Sequence, residues 1–245
     1  MACVYCNCEV YEVWNLGFFP PSDTFCDSKK SALNIQTEKL AVGCCRSCGL
    51  TQNTVLLSEE KRYKDNDYAY SSANSSYAKM HWAGLIDDLK KKNLIHERVK
   101  LLEIGANDGF LLNEIKSHFP TSDVMGLDAS PFQVSQATQN FPDLKMLQCT
   151  FGVSSDTLPE GHFDIVIGNN VLNHSNQLSS FLSRVSEVVF VVHGRRFQKL
   201  NCICLRSWSV NSRTQLQYMP STCQGQALQG LFLCCCCPVF QLLGW

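Results

Sequence analysis

Four cysteines stand in two C-x-x-C units, Cys3-Val4-Tyr5-Cys6 and Cys45-Arg46-Ser47-Cys48-Gly49, with 38 residues between them. Two thiolates at that spacing reach one metal from a tight turn, and two such turns complete the four-thiolate tetrahedron of a structural zinc site. Gly49 takes positive φ readily and Asn7 tolerates it, so backbone N–H groups can turn back onto the sulfurs. A closed four-cysteine site has no open position, so Zn2+ there is structural. Cys8 and Cys44 are alternatives in register. Buried free thiols, or a redox dithiol, are the competing reading.

A second constellation lies in the middle of the chain. Val99–Ile104 reads as a short apolar strand, followed by Gly105-Ala106-Asn107-Asp108-Gly109 and the start of a helix at Phe110. The pattern is E-x-G-x-x-x-G from Glu103, distinct from the dinucleotide G-x-G-x-x-G, and no Lys-Ser/Thr pair makes it a phosphate loop. Asp123–Asp128 reads as the next strand and ends in an acid 19 residues past Gly109. A carboxylate so placed accepts hydrogen bonds from both ribose hydroxyls of a nucleoside. A further apolar stretch, Phe163–Gly168, ends in Asn169 and Asn170.

The elements that position these groups follow from periodicity. Trp82, Leu85, Ile86 and Leu89 recur at helical spacing between residues 76 and 93. A helix is expected from Pro131, a strand around Leu144–Cys149, a helix over Leu178–Val188 and a strand over Val189–Val192. Strand, glycine turn, helix, strand ending in Asp and strand ending in Asn together resemble a class I S-adenosylmethionine-dependent methyltransferase.

Other segments narrow the resemblance to sugar C-methyltransferases with an N-terminal zinc-binding domain. They are Cys45–Gln52, Leu16-Gly17 with Pro20–Asp23 as a loop after the first knuckle, Tyr68–Ser72, and Asn169–His174. The resemblance covers roughly residues 3–188. It implies an α/β fold, a Rossmann-like methyltransferase sheet preceded by a small zinc-binding module, with S-adenosylmethionine and zinc as cofactors. It also implies that Glu103, Gly105, Asn107, Asp108, Gly109, Asp128 and Asn169 serve the cofactor, with Tyr70 approaching from the interdomain side. The implied chemistry is methylation of a carbon next to a ketone, through an enolate, on a nucleotide-linked sugar. Methylation of O or N, or an inactive truncated product, is the alternative. A histidine suits the base, and His174 is best placed past the fourth strand; a loop, capping or substrate-contact role is equally open to it.

Composition bounds the rest. The chain has 245 residues, 45% of them hydrophobic, and a formal net charge of −1. These values exclude wholesale disorder and a dedicated nucleic-acid binder. No membrane span and no signal peptide are visible, so a cytoplasmic location and a small-molecule partner are expected. Fifteen cysteines are an odd number, so they cannot all pair. Residues 188–245 hold five Arg/Lys and no Asp/Glu, against the acidic remainder. With Cys234–Cys237, that shift separates the tail from the family pattern. A non-homologous end that leaves the sheet incomplete is favoured over an acylated tail or a divergent end of the domain. The expected organisation is a zinc module over 1–60, linker and helix over 61–98, a cofactor-binding domain over 99–193 and a poorly ordered tail over 194–245.

Overall fold

The computed structural model describes residues 1–22, 24–58, 62–63, 71, 75–153 and 157–189. The expectations for Tyr68, Tyr70, Phe190–Val192 and the tail therefore lie outside the described residues.

The N-terminal part is an antiparallel meander of β1 (Val10–Phe19), β2 (Glu38–Cys45) and β3 (Thr51–Asn53), with a one-turn α1 (Lys29–Leu33) in the β1–β2 connection. Leu16-Gly17, expected in a loop, lies within β1. The register slips between Asn15 and Gly17, and Gly17 takes φ +101° where the strand is irregular. Among the described residues, the buried cluster here is Cys3, Val10 and Cys45, with Tyr5, Cys6, Cys48 and Leu50 against it, and Ala41 and Val42 of β2 are also buried. So small an apolar core gives few kilocalories, and domains of this size usually draw on a metal or disulfides.

The second part is a parallel sheet in the order β6-β5-β4-β7, formed by β4 (Lys100–Ile104), β5 (Asp123–Asp128), β6 (Lys145–Gln148) and β7 (Ile165–Gly168). Its helices are α2 (Ser76–Lys91), α3 (Phe110–His118), α4 (Pro131–Asn140) and α5 (Leu178–Val188). Alternate strand residues face opposite layers. Leu101, Ile165 and Ile167 join Trp82, Leu85, Ile86 and Leu89 of α2 and Leu112 and Ile115 of α3. Leu102, Ile104 and Val166 join Phe181, Val185 and Val188 of α5. Each such fully buried side chain contributes about 1.5–3 kcal/mol, so both layers hold the sheet.

Helix starts agree with local chemistry. Ser75 caps α2 through Ala78 N–H, and Ser130 caps α4 with Pro131 in its first turn. Val189 forms a parallel bridge to Phe163, so the chain turns toward the open side of β7 where a strand was expected. No helix among the described residues is long and apolar enough to cross a membrane.

Gly126 of β5 is a steric requirement. An added Cβ would lie 2.6 Å from Met146 Sδ, 2.7 Å from Leu112 Cδ1 and 2.8 Å from Ala106 Cβ. Gly126→Ala is therefore expected to destabilise the protein by about 1–3 kcal/mol, read as a lower denaturation midpoint with an unchanged slope. An unchanged midpoint would show that these contacts yield freely.

Candidate active site

Beyond the C-terminal ends of β4, β5 and β7 lies a cleft of about 1020 Å³, counting its open mouth. This is where strand order reverses direction between β4 and its two neighbours, the usual ligand crevice of such sheets. Its floor is Glu103, the turn Gly105-Ala106-Asn107 and Asp128. Thr150, Phe151, Asn169, Asn170, Val171 and His174 form one wall, and Phe181, Trp82 and Tyr63 line the rest.

The turn after β4 is built from unusual backbone. Gly105 has φ +70° and Asn107 φ +52°, conformations that cost a side chain bulkier than Asn about 1 kcal/mol or more. A Cβ on Gly105 would also sit 2.4 Å from Val171 Cγ2, so the turn and the segment after β7 pack without room for one. Asp128 ties this turn down: Asn107 N–H donates to Oδ2 and Ser130 N–H to Oδ1, both at 2.8 Å. Ala129 N–H also bonds to this carboxylate, which still keeps acceptor capacity for a ligand hydroxyl.

Two acids are electrostatically strained. Burial, and then the charges of Asp128 and Asp108, push the Glu103 carboxyl well above its ordinary value. Among the described residues its Oε2 has no hydrogen-bond partner, so no donor there favours the charged form. Burial also raises Asp128, although the N–H groups of Ser130, Asn107 and Ala129 favour its charge.

Asp108 and Gly109 support the site from outside the cleft lining. Asp108 Oδ1 accepts Phe110 N–H at the start of α3, and its Oδ2 accepts the Ser71 hydroxyl. Gly109, at φ +77°, packs against Leu144 and Ala137. The cleft thus gathers Glu103, Gly105, Asn107, Asp128, Asn169 and His174. Sequence reasoning missed Thr150, Phe151 and Trp82. The signal for the first two was their place directly after the strand ending at Gln148.

His174 closes a 3₁₀ turn, Leu172–His174. Desolvation in the cleft, and then the Arg62 guanidinium, lower its imidazole to about 4. His174 is itself exposed, where water screens charge, and the downward shift leaves the ring neutral at pH 7. Arg62 also donates to the His174 carbonyl at 3.1 Å and to Asn176 Oδ1 at 2.9 Å.

The four cysteine sulfurs Cys3, Cys6, Cys45 and Cys48 all lie within 4.8 Å of one another. Cys6 and Cys45 are 3.4 Å apart and Cys3 and Cys48 3.7 Å. Bonds of about 2.3 Å in a tetrahedron place sulfurs roughly 3.8 Å apart, so the donor set fits zinc. The two turns are built alike. Asn7 N–H bonds to Cys3 O and Gly49 N–H to Cys45 O, while Cys3 N–H meets Cys8 O and Cys45 N–H meets Leu50 O. Asn7 and Gly49 both take positive φ. Cys8 and Cys44 lie outside the cluster.

Residues 102–189 match the family model described as a methyltransferase domain. Among curated proteins, the non-reducing polyketide synthase trt4 of Aspergillus terreus is 28% identical over 122 residues, covering 46% of this chain and 5% of that protein. The chain therefore spans a small fraction of that relative. Among solved structures, the PH0226 protein of Pyrococcus horikoshii aligns at TM-score 0.43 and 19% identity, covering 49% of this chain and 54% of that one. The CurJ carbon methyltransferase aligns at 0.40 and 23%, covering 49% and 34%. Phosphoethanolamine N-methyltransferase 2 of Haemonchus contortus, in complex with S-adenosylmethionine, aligns at 0.40 and 18%, covering 44% and 26%. Over residues 102–189, then, the chain is similar to methyltransferase domains.

Glu103 offers a test by pH. Its folded value is raised, so its contribution to stability is complete below the unfolded carboxyl value, about 4.3, and is lost as pH rises through the folded value. Glu103→Gln removes that loss. Unfolding free energies measured by denaturant from pH 4 upward are expected to fall more steeply with pH for the wild type than for the variant. Parallel profiles would overturn the neutral-acid assignment.

Proposed function

We propose that this chain transfers a methyl group from S-adenosylmethionine to a small-molecule acceptor, with Glu103, Gly105, Asn107, Asp128 and Asn169 forming the cofactor site. The observation that carries the reading is Asp128: a carboxylate at the end of β5, held by backbone N–H groups, with acceptor capacity left for a ribose hydroxyl. When bound, the cofactor supplies an electrophilic methyl on a sulfonium sulfur. The chain's own residues bind and orient. The Gly105 turn lets backbone approach the ligand closely, and Phe151, Phe181 and Trp82 exclude water from one side. Asp108 and Gly109 serve by holding the turn and α3, and Tyr70 belongs to the same site in this reading.

The narrower reading is transfer to carbon of a nucleotide-linked keto-sugar. There His174, neutral at working pH, accepts the proton from the carbon beside the ketone, and the enolate so formed is the nucleophile. The lowered basicity of His174 favours a second reading, transfer to O or N, in which the ring orients the acceptor and an amine needs no strong base. The four-cysteine cluster holds a structural Zn2+ through Cys3, Cys6, Cys45 and Cys48, within a module ending near residue 60.

Calorimetric titration tests the cofactor site. S-adenosylmethionine and S-adenosylhomocysteine are expected to bind, and Asp128→Asn to weaken binding by about tenfold or more, since it halves the acceptors facing the diol and removes a charge. No heat at millimolar ligand would overturn the reading. For the cluster, metal analysis is expected to give about one zinc per chain. That zinc should be lost in Cys45→Ser/Cys48→Ser; substoichiometric metal, or content unchanged in the variant, would refute it.

A further inference from the structure

The first C-x-x-C turn touches the catalytic domain through its backbone. Val4, between Cys3 and Cys6, accepts the N–H of Leu178 on its carbonyl at 3.0 Å. Leu178 is the first residue of α5, and the Gln177 side chain makes no capping bond there. A helix start leaves backbone N–H groups without intrahelical partners, and one is here satisfied from the other domain. The Val4 peptide is itself fixed. Its N–H donates to Gln52 Oε1 at 2.9 Å, and Gln52 Nε2 donates to Ala2 O at 3.3 Å. Gln52 is 6% exposed, one of few buried polar side chains. It stands on β3, directly after the second knuckle. The segment it reaches through Val4 carries Asn169, Val171 and His174 into the cleft, and α5 itself contributes Phe181.

We propose that Gln52 is a positioning residue for the cofactor cleft, acting through the Val4 carbonyl on the Leu178 N–H and so on residues 169–181. The knuckle then does more than fold its own module: it sets the cleft wall. Side-chain amide, peptide and helix start form one chain of hydrogen bonds, and each link is directional, so loosening Gln52 frees the Val4 carbonyl to turn away from α5. For the cleft, this proposal rests on the cofactor reading above; for the α5 brace it does not.

The test isolates one amide. Leu178→Pro removes the N–H at a first-turn position where proline is well tolerated, leaving the cysteines and Gln52 untouched. Leu178→Ala keeps the N–H and trims the side chain. Gln52→Leu removes the other end of the link. Hydrogen exchange of peptides covering 169–185 is measured, with the affinity for S-adenosylhomocysteine and zinc content as companions. Expected are faster exchange over 169–181 and about fivefold weaker binding in Leu178→Pro and in Gln52→Leu, a factor typical of coupled sites. Leu178→Ala should behave as wild type. The double variant Gln52→Leu/Leu178→Pro should be no worse than the stronger single, because both cut one path.

Wild-type exchange and affinity in Leu178→Pro, or additive losses in the double variant, would overturn the proposal. If the wild type binds no S-adenosylhomocysteine, the cofactor reading fails. The exchange pattern alone then decides the brace, slow exchange in Leu178→Pro overturning it.

Discussion

The carboxylate of Asp128 is the constraint on which the cleft depends. It ends β5, yet its oxygens accept the N–H groups of Asn107, beyond β4, and Ser130, at the start of α4. One side chain thus joins the ends of two parallel strands and a helix cap. The left-handed residues Gly105 and Asn107 are sustained by that bond and by the tight seat against Val171. The same closeness brings three carboxyl groups, Glu103, Asp108 and Asp128, into a small buried volume. Desolvation, and then Coulomb repulsion from Asp128 and Asp108, act on the most buried of them, Glu103, and push its carboxyl well above its ordinary value.

The two domains depend on each other more than their separate cores imply. The N-terminal meander buries little apolar surface, while the parallel sheet is packed on both faces. Among the described residues, directional polar contacts run between them. The Val4 carbonyl takes an α5 amide, and Arg62 and Asn176 both bond to the Leu57 carbonyl. Polar links of this kind transmit position, because each bond fails steeply with angle and distance.

Much of the parallel-sheet part was legible from order and period. The strand Asp123–Asp128 and the helices from Pro131 and over Leu178–Val188 fall where apolar spacing and proline predicted them, since those signals are local. The N-terminal meander was not legible. Its β1 is mostly exposed, with Val13, Trp14 and Phe18 facing solvent, so it lacks the alternation that marks a half-buried strand. Its register slips also break the period. Among site residues, the glycine turn, Asp128 and Asn169 were visible because positive φ and strand-end acids leave signatures in residue type. Thr150, Phe151 and Trp82 were not, since nothing in an ordinary Thr or aromatic says that it lines a cleft.

The sequence by itself determined the chemistry available: four thiols in two matched turns, a glycine turn behind a buried Glu, an acid at a strand end. Those follow from residue type and spacing over a few residues. Tertiary structure alone decided which of them meet. Closure of the N-terminal meander brings sulfurs 39 residues apart in the chain to 3.4 Å. Packing sends Asp108 to cap α3 and hold Ser71 instead of lining the cleft. And the Val4 carbonyl, which no residue code distinguishes from any other, meets the start of α5 only because the two domains are docked, backbone hydrogen bonding being blind to side-chain identity.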